Sequence, residues 1–508
     1  MASRNRTGRR ARRPAGGHQA DIVQPFSELP PYDITTPEQV AAIHDASMRI
    51  LEEAGIAFYD DESLRILAAA GASVDGDSIV RFDRDLIAHH LALCPPSFTF
   101  RARNPERSVR IGEGYAAFAP VGGPPYVHDR RRGRRPGTLS DLVELVKLAQ
   151  QAPYLHTTGT ETVVPNDVPF HERGLDIVYT HFRYGDKPVM GHYPIGLVAQ
   201  DTVDMARIVF GADTVAREHV LLGTINVSSP RRLDDRMLGA LKAYARANQI
   251  IMMTPFILAG AMGPASVLGS VVQANAEALA GIVFAQMVRP GTPCIYGPFL
   301  AVTDLRSGAP SFGTAESILA QYLTGRMARE YGLPFRASGG YTSGKLPDSQ
   351  SGVEGALSLF SSMLVSPGFI LHAAGWMESG LTTSYEKFML DVDLLGTLHR
   401  YASGVSWDDE EWALGSILED VQPGGHHLGT EHTLNRFRTA FHHPDLFDNA
   451  SYETWMAAGG IPAEDAATAA WERSLDEYEQ PAMDDAVDEE LLAFMARRRR
   501  EIDPAEFQ

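Results

Sequence analysis

Aromatic and polar side chains recur directly after the apolar runs of this sequence, where the ends of strands would place a site. They are Tyr126, His128, Thr160, Glu161, His192, Tyr193, Asn226, Phe256, Tyr296, Phe299, Gly339, Gly340, Tyr341, Trp376 and Glu378. This set holds few nucleophiles and few general acids but many aromatic rings. Aromatic faces attract cations, above all quaternary ammonium groups, which donate no hydrogen bonds. The residue types therefore indicate the binding of a small cation.

Four of these aromatic residues predict a cation-binding cage. The predicted cage consists of Tyr296, Phe299, Tyr341 and Trp376. They follow three consecutive apolar runs, so the ends of neighbouring strands would bring the rings together. The expected polar contacts are His192 and Glu378. Each ring could instead belong to ordinary core packing, and no residue is assigned a catalytic role.

The stretch RASGGYTSGKLPDSQ, residues 336–350, joins an apolar run to a helix whose composition indicates burial. Gly340, beside Gly339, would let the backbone approach a ligand closely, because glycine has no Cβ. Tyr341 could then lie against the cation. Lys345 could form a Schiff base, but its place in a loop with glycine and proline favours a solvated side chain.

A metal site is the main alternative to the cage. The stretch GGHHLGTEHTL places His427 and Glu431 four residues apart, with His432 adjacent. On a helix, residues at this spacing face one ion. Gly429 interrupts the spacing and the stretch lies outside the strand ends, which favours a packing turn. We therefore expect no bound metal, and a metal-dependent lyase or hydrolase remains the alternative.

Composition excludes several classes of protein. The chain has 508 residues and a net charge of -19, although six arginines lie among the first thirteen residues. So acidic a body disfavours nucleic-acid binding, which needs a basic face. We expect a disordered basic tail over residues 1–30. Cys94 and Cys294 are too far apart in sequence to form a metal or redox motif. No apolar signal segment follows the arginines, and no run of 18 apolar residues occurs. A cytoplasmic protein without membrane contact is therefore expected.

The first part of the chain predicts helices. Thr36, Pro37 and Gln39 form a capping box at the start of one helix, and Gly55 can end it in the left-handed conformation. Shorter helices are expected at 61–70 and near 84–93. Residues 31–110 are therefore predicted to form an N-terminal helical cap.

Apolar or β-branched runs then alternate with helical patterns. The runs are 116–121, 155–164, 188–193, 219–228, 249–258, 293–300, 334–338 and 369–375. Eight such units predict an α/β fold, a (βα)8 TIM barrel over residues 111–405, with its site at the carboxyl ends of the strands. A doubly wound open sheet is the alternative. Residues 406–508 are expected to form a C-terminal helical extension that wraps the barrel or a partner subunit.

Several stretches together resemble the trimethylamine methyltransferase family. They are TTPEQVAAIHDASMRILEEAGI, GGYTSGKLPDSQSGVEGAL, GGHHLGTEHTLNRFRTAF and AMDDAVDEELLAFMARRR, and the resemblance spans residues 33–500. The resemblance implies a TIM barrel and an enzyme that passes a methyl group from a methylamine to the cobalt of a separate corrinoid protein. No D-x-H-x-x-G corrinoid motif occurs here. The corrinoid would therefore come from the partner protein, and we expect a homo-oligomer.

The resemblance also bears on the substrate. Founding members of the family carry pyrrolysine near the end of strand seven, where this sequence has Tyr341, Gly340 or a neighbour. Relatives without pyrrolysine use quaternary amines, such as glycine betaine, proline betaine or carnitine. The resemblance therefore implies a methyltransferase for a small quaternary amine, and His192, Asn226, Arg336 or backbone N–H groups could hold its carboxylate. A non-catalytic betaine-binding protein on the same barrel is the second alternative.

Overall fold

The fold is of the mixed α/β type. The computed structural model describes residues 22–27, 29–76 and 78–507. Of the predicted disordered tail, residues 1–21 lie outside this described part.

The N-terminal part consists of short helices and strands. Its elements are α1 (Pro37–Arg49), β1 (Ile56–Phe58), α2 (Asp61–Ala69), β2 (Ser73–Val74), β3 (Ile79–Arg81), α3 (Arg84–Leu91), β4 (Phe98–Phe100) and β5 (Val109–Ile111). The predicted capping box is present: the Thr36 hydroxyl accepts from the Gln39 N–H, and the Gln39 side chain accepts from the Thr36 N–H. A π-helical turn continues α1 to Gly55, whose φ is 70°. The predicted helices of this region are therefore confirmed.

Strands and helices alternate through the central part. Its elements are β6 (Ala117–Phe118), β7 (Tyr126–Asp129), β8 (Gly133–Pro136), α4 (Leu139–Gln151), α5 (Arg173–Tyr184), β9 (Val189–Gly191), α6 (Gly196–Phe210), α7 (Ala212–Arg217), β10 (Leu221–Asn226), β11 (Arg232–Leu233), α8 (Asp235–Arg246), β12 (Ile250–Thr254), β13 (Phe256–Ala259), α9 (Val267–Val288), β14 (Cys294–Tyr296), β15 (Phe299–Thr303), β16 (Pro310–Ser311), α10 (Ala315–Glu330), β17 (Arg336–Ala337), α11 (Ser349–Met363), β18 (Phe369–Ile370), β19 (Trp376–Met377), β20 (Thr382–Ser384) and α12 (Tyr385–Ala402).

Seven of these strands form two groups of parallel neighbours. Pairing runs from β9 through β10 and β12 to β14, and from β17 through β18 to β6. A parallel bridge between Tyr296 and Phe335 connects the two groups. Seven of the eight predicted apolar runs therefore contain a strand of this parallel arrangement.

The run 155–164 forms no strand. His156 N–H donates to the Phe118 carbonyl (2.8 Å) and Met190 N–H donates to the Gly159 carbonyl (3.3 Å), so the segment lies between β6 and β9. The His156 ring accepts the Phe118 N–H in place of a backbone carbonyl, and the Thr157 hydroxyl accepts from the Gly159 N–H. These side-chain hydrogen bonds compete with the backbone ladder. The prediction of a strand here is therefore wrong.

The parallel strands divide their side chains between two cores. Leu222, Met252 and Ile295 pack in one apolar cluster, whereas their chain neighbours Leu221 and Met253 pack in another against the helices. This division follows from the alternation of side chains along a strand. The first cluster marks the inner face of the strands.

Helix α9 is long and apolar enough to cross a membrane by length and composition, but 78% of its apolar window is buried inside the protein. It packs against α1, α3, α8 and α10. Its composition is therefore that of a core helix, as expected from its low charge.

The C-terminal part contains five helices among the residues described. They are α13 (Asp409–Trp412), α14 (Glu431–Arg436), α15 (Tyr452–Ala457), α16 (Ala463–Asp476) and α17 (Asp485–Glu501). Helix α16 packs on α4 and α12, and α17 packs on α5 and α6. Trp471 and Phe494 are buried in these contacts.

Truncation of the inner cluster should destabilise the fold. Met252→Ala removes a fully buried side chain on the inner face of β12, and we expect the free energy of unfolding to fall by about 2–5 kcal/mol. Urea unfolding followed by circular dichroism measures this change. Leu305→Ala is the control, because Leu305 is 76% exposed and should cost less than about 0.5 kcal/mol.

Candidate functional site

A cavity of about 250 Å³ lies beyond the carboxyl ends of the parallel strands. The residues that line it are Gly122, Gly123, Thr160, Tyr193, Thr224, Asn226, Thr254, Phe256, Phe299, Phe312, Arg336, Leu371, His372, Trp376, Ser379 and Gly380. One part of this wall is aromatic and another carries polar side chains. A cavity of this size accommodates a small molecule only.

The aromatic wall is a set of rings in mutual contact. The Phe256 and Phe299 rings stack at 4.8 Å between centroids, and Phe312 lies 6.0 Å from Phe256 in a nearly parallel plane. Phe312 also contacts Trp376 at 5.2 Å. The Trp376 indole N–H donates to the Thr342 carbonyl (3.2 Å), which fixes the ring. Rings held in this way present faces suited to a cationic group.

Arg336 is the main charge of the cavity. It is 1% exposed, and its Nη2 donates to the Tyr341 hydroxyl (2.6 Å). Its guanidinium carbon lies 4.2 Å from the Phe299 ring centroid. The buried Nε and Nη1 atoms make no hydrogen bond among the described residues. A buried cation without an anionic partner is costly, so this guanidinium is available for an anionic ligand group.

His372 places a second donor beside Arg336. Its Nδ1 accepts the Gly122 N–H (3.1 Å), so the neutral ring carries its proton on Nε2. Burial, and then the charge of Arg336, hold the pKa of His372 well below its ordinary value of 6.5. The backbone of His372 has a φ of 64°, a conformation that is rare for residues with a side chain. Such strained residues often serve a site.

Hydroxyl groups complete the polar part of the wall. The buried Oγ1 atoms of Thr160 and Thr224 make no hydrogen bond among the described residues. Thr254 donates to the Asn226 side-chain oxygen (2.9 Å) and also lies within 3.1 Å of the Ile225 carbonyl. The cavity therefore joins an aromatic surface to a cluster of hydrogen-bond donors around one guanidinium.

The structure places three of the four predicted cage residues together. Phe299 and Trp376 line the cavity. Tyr341 stands behind the wall, with its ring 4.6 Å from Trp376 and its hydroxyl on Arg336. Tyr341 therefore holds the wall residues and does not itself line the cavity.

Tyr296 is not among the residues that line the cavity. Its hydroxyl donates to the Asn275 side-chain oxygen (2.7 Å) and its ring faces Tyr331. Ile295 occupies the inner face of β14, so the side chain of the next residue points outward to the helices.

Of the Gly339–Gly340 pair, only Gly339 is required by backbone packing. A Cβ at Gly339 would lie 2.0 Å from the His372 carbonyl oxygen, which requires glycine there. Gly340 donates its N–H to the same carbonyl (2.9 Å). Neither glycine lines the cavity. The close approach that was expected between this backbone and a ligand is instead an approach to the backbone of His372.

The two predicted polar contacts are engaged elsewhere. Glu378 accepts hydrogen bonds from Arg134 (2.7 Å) and Thr382 (2.6 Å) outside the cavity wall. His192 Nδ1 lies 2.6 Å from Glu161 Oε2, in an ion-pair contact that is not aligned as a hydrogen bond. His192 lies on the strand end next to Tyr193, which does line the cavity. The ligand role predicted for the two residues is not supported by these positions.

The residues of the metal alternative do not converge. Among the residues described, no three His, Cys, Asp or Glu side chains lie in a group that could hold a metal ion. Residues 426–428 are exposed, and His427 lies beside Ser416 at 3.2 Å. Lys345 is exposed in its loop, as the solvated reading expected.

Sequence reasoning missed several residues of the wall. Thr224 and Thr254 were not named, although alternation along their strands could have placed them on the inner face. His372 was not named either, and it lies beyond the end of β18 at a positive φ, which no alternation predicts. Phe312 directly follows β16, in the hairpin that β15 and β16 form. No local sequence pattern predicts that its side chain reaches the cavity. Arg336 had been named only as one of several possible carboxylate partners.

Known proteins resemble this chain over most of its length. The family model described as trimethylamine methyltransferase matches residues 2–503. A glycine betaine methyltransferase of Desulfitobacterium hafniense is 38% identical and covers 93% of this chain and 98% of its own length. A proline betaine:corrinoid methyltransferase of Eubacterium limosum is 30% identical, with coverages of 73% and 78%. A trimethylamine methyltransferase of D. hafniense is 25% identical, with coverages of 83% and 85%.

The lowered pKa of His372 predicts a pH dependence of stability. The unfolded chain binds a proton at this ring below pH 6.5, whereas the folded chain does not, so the free energy of unfolding falls as the pH falls. His372→Asn keeps an acceptor for Gly122 N–H and tolerates the positive φ. We expect its stability curve below pH 6.5 to be flatter by up to about 1.4 kcal/mol per pH unit. Urea unfolding at several pH values tests this, and His426→Asn, at an exposed position, should leave the wild-type slope.

Proposed function

The chain belongs to the trimethylamine methyltransferase family, and we propose that it transfers a methyl group from a small zwitterionic quaternary amine, of the glycine betaine class, to the cobalt of a separate corrinoid protein. The observation that carries this proposal is the buried, anion-free guanidinium of Arg336 beside an aromatic wall. The names of two relatives that are 38% and 30% identical point to the same class of substrate.

Charge selects the substrate class. A simple cation such as trimethylammonium would be repelled by Arg336, which lies in the cavity wall without an acidic partner. A betaine carries a carboxylate for Arg336 and for the His372 Nε2–H, and an ammonium group for the rings. Arginine binds carboxylates with two parallel hydrogen bonds, which adds geometric specificity. The cavity therefore favours a molecule with both charges.

The order of these groups along the strands orients the ligand. Thr224, Thr254 and Arg336 lie within β10, β12 and β17. Phe299 and Trp376 lie in segments that come after β14 and β18, and therefore nearer the cavity opening. A betaine bound with its carboxylate on Arg336 presents its methyl groups toward the opening. This is the orientation that transfer to an outside acceptor requires.

The corrinoid must approach from outside the chain. A cavity of about 250 Å³ holds a small amine but not a macrocycle, so the corrinoid protein is proposed to dock over the opening. The reduced cobalt of that partner supplies the nucleophile that accepts the methyl group. This chain's own residues hold the ammonium and carboxylate, exclude water and fix the direction of one methyl group.

The proposed transfer of a methyl group from a quaternary amine requires little acid–base catalysis. A quaternary nitrogen that loses a methyl group leaves as a neutral tertiary amine, so no proton has to be delivered. The cavity wall accordingly carries one arginine and one neutral histidine, and no carboxylate, lysine or cysteine. The sequence contains no pyrrolysine, and a quaternary amine already carries the positive charge that makes the neutral amine a leaving group.

We propose a closed (βα)8 barrel as the frame of this site, with segment 155–164 completing the ring between β6 and β9. The division into a helical cap (31–110), a barrel (111–405) and a C-terminal extension (406–508) belongs to the same proposal. The proposed location is the cytoplasm, where the reduced corrinoid partner would be available.

Substrate turnover tests the function directly. The purified protein is incubated anaerobically with reduced cobalamin and, separately, glycine betaine, proline betaine, carnitine, choline or trimethylamine. Mass spectrometry then measures the demethylated amine. We expect product from a betaine and none from trimethylamine or choline. Calorimetric binding of a betaine without any demethylation, even with a native corrinoid protein, would instead favour the binding-protein alternative.

Loss of the guanidinium should change the ligand preference. In Arg336→Met we expect the Kd for glycine betaine to rise about 30-fold or more, because the buried carboxylate would lose its charged partner. Choline lacks the carboxylate, so its affinity should rise or stay the same. Isothermal titration calorimetry measures both affinities. Tyr296→Phe is the matched control, since Tyr296 lies outside the cavity, and equal losses of both ligands in Arg336→Met would contradict the carboxylate site.

A further inference from the structure

A segment of the C-terminal extension exposes a large amount of apolar surface. We call residues 405–461 the arm. Its exposed large apolar side chains are Val405, Trp407, Trp412, Leu414, Ile417, Leu418, Leu428, Leu434, Phe437, Phe441, Phe447, Tyr452, Met456 and Ile461, with exposures from 40% to 79%. The helices α16 and α17 follow the arm and bury their large apolar side chains Trp471 and Phe494 against the central part.

The arm has no core of its own. Within it, only Ser416 and Thr430 are buried. One attachment to the rest of the chain is the Asp393 carboxylate on α12, which accepts the N–H groups of residues 445–447. Ordering a segment of this length costs conformational entropy that buried apolar surface must offset. The fold of the arm therefore requires a surface that covers it.

The outer face of α11 is also apolar. Val353, Leu357 and Phe360 are 58%, 52% and 43% exposed, and their spacing of four and three residues forms one stripe along the helix. The buried face of the same helix carries Leu359 and Met363 together with the small hydroxyl residues Ser358, Ser361 and Ser362. A helix at the surface of a monomer carries charged and polar side chains on its outer face, which this helix lacks along the stripe. We call this outer face the α11 stripe.

We propose that the chain forms a two-fold symmetric dimer in which the arm of each copy covers the α11 stripe of the other. Charge favours this pairing over arm against arm. The arm carries ten acidic side chains and two arginines, so two arms in contact would repel each other. Glu354 is the one charged residue of α11, so the stripe offers the arm an apolar surface with little opposing charge.

The size of the exposed surface supports an interface between two copies. Fourteen large side chains that are about half exposed amount to roughly 1,000 Å² or more, at about 150–250 Å² for each large aromatic residue. The largest apolar patch of a monomer is about 300–600 Å². A stable interface buries about 800 Å² of each partner. The arm also supplies tryptophan, tyrosine and phenylalanine, the residue types that dominate interfaces.

Single charge substitutions test the dimer in the full chain. Leu357→Arg on the stripe and Trp407→Arg on the arm place a charge in the proposed interface, and neither side chain is part of the folded core. We expect each to raise the dimer dissociation constant at least about tenfold, measured by analytical ultracentrifugation. Leu492→Arg, at a 47% exposed position on α17, is the matched control and should remain a dimer.

Mixing the two variants tests which surfaces meet. A mixed dimer of the Leu357→Arg and Trp407→Arg chains keeps one intact arm-to-stripe contact, whereas each variant alone keeps none. We therefore expect the mixture to recover dimer that neither variant forms alone. A monomeric wild-type chain at micromolar concentration would overturn the proposal. A dimer that persists in both variants, or a mixture that recovers no dimer, would also overturn the proposal. A corrinoid protein would then be the remaining candidate to cover the arm.

Discussion

The buried guanidinium of Arg336 is the constraint around which the cavity is organised. Moving a charged group out of water is costly unless other groups compensate. Here the Phe299 ring and the Tyr341 hydroxyl compensate in part, and Nε and Nη1 retain no partner among the described residues. The carboxylate of the proposed substrate would supply the remaining stabilisation of this cation. Burial lowers the pKa of His372, and the charge of Arg336 lowers it further, because a second cation beside Arg336 is disfavoured.

The aromatic wall depends on a second buried charge network behind it. Asp391 accepts the Gly375 N–H (2.9 Å) and pairs with Lys387. These contacts fix the backbone directly before Trp376. Burial raises the pKa of Asp391 although Lys387 opposes the shift. The Trp376 indole is fixed from the other side by the Thr342 carbonyl. Rings positioned on both sides in this way can present a fixed surface to an ammonium group, as preorganised binding requires.

The two apolar surfaces of the proposed dimer belong to elements next to the cavity. Helix α11 follows the loop that carries Tyr341, and the arm follows α12, which carries Asp391. Contact between the arm and the α11 stripe would restrict the motion of α11 and of the arm. The dimer proposed here would therefore stiffen the frame behind the aromatic wall, although no arm residue lines the cavity.

The sequence by itself determined the elements and the class of fold. Capping residues such as Thr36, and apolar runs of fixed period, act locally, so helices and seven of the parallel strands were predictable. The exception was the segment at His156, where side-chain hydrogen bonds replace the ladder. Such bonds depend on a partner distant in sequence, which no local pattern contains.

Only the tertiary structure decided which residues share the cavity. Successive side chains of a strand point in opposite directions, so Tyr296 packs toward the helices beside the inward-facing Ile295. Phe299 begins the separate strand β15 and reaches the cavity. Phe312 reaches the cavity from the end of a hairpin, and His372 from the turn after β18. The sequence could name aromatic rings and an arginine as candidates, because their chemistry is local. Their assembly depends on strand register and chain direction, which are properties of the whole fold.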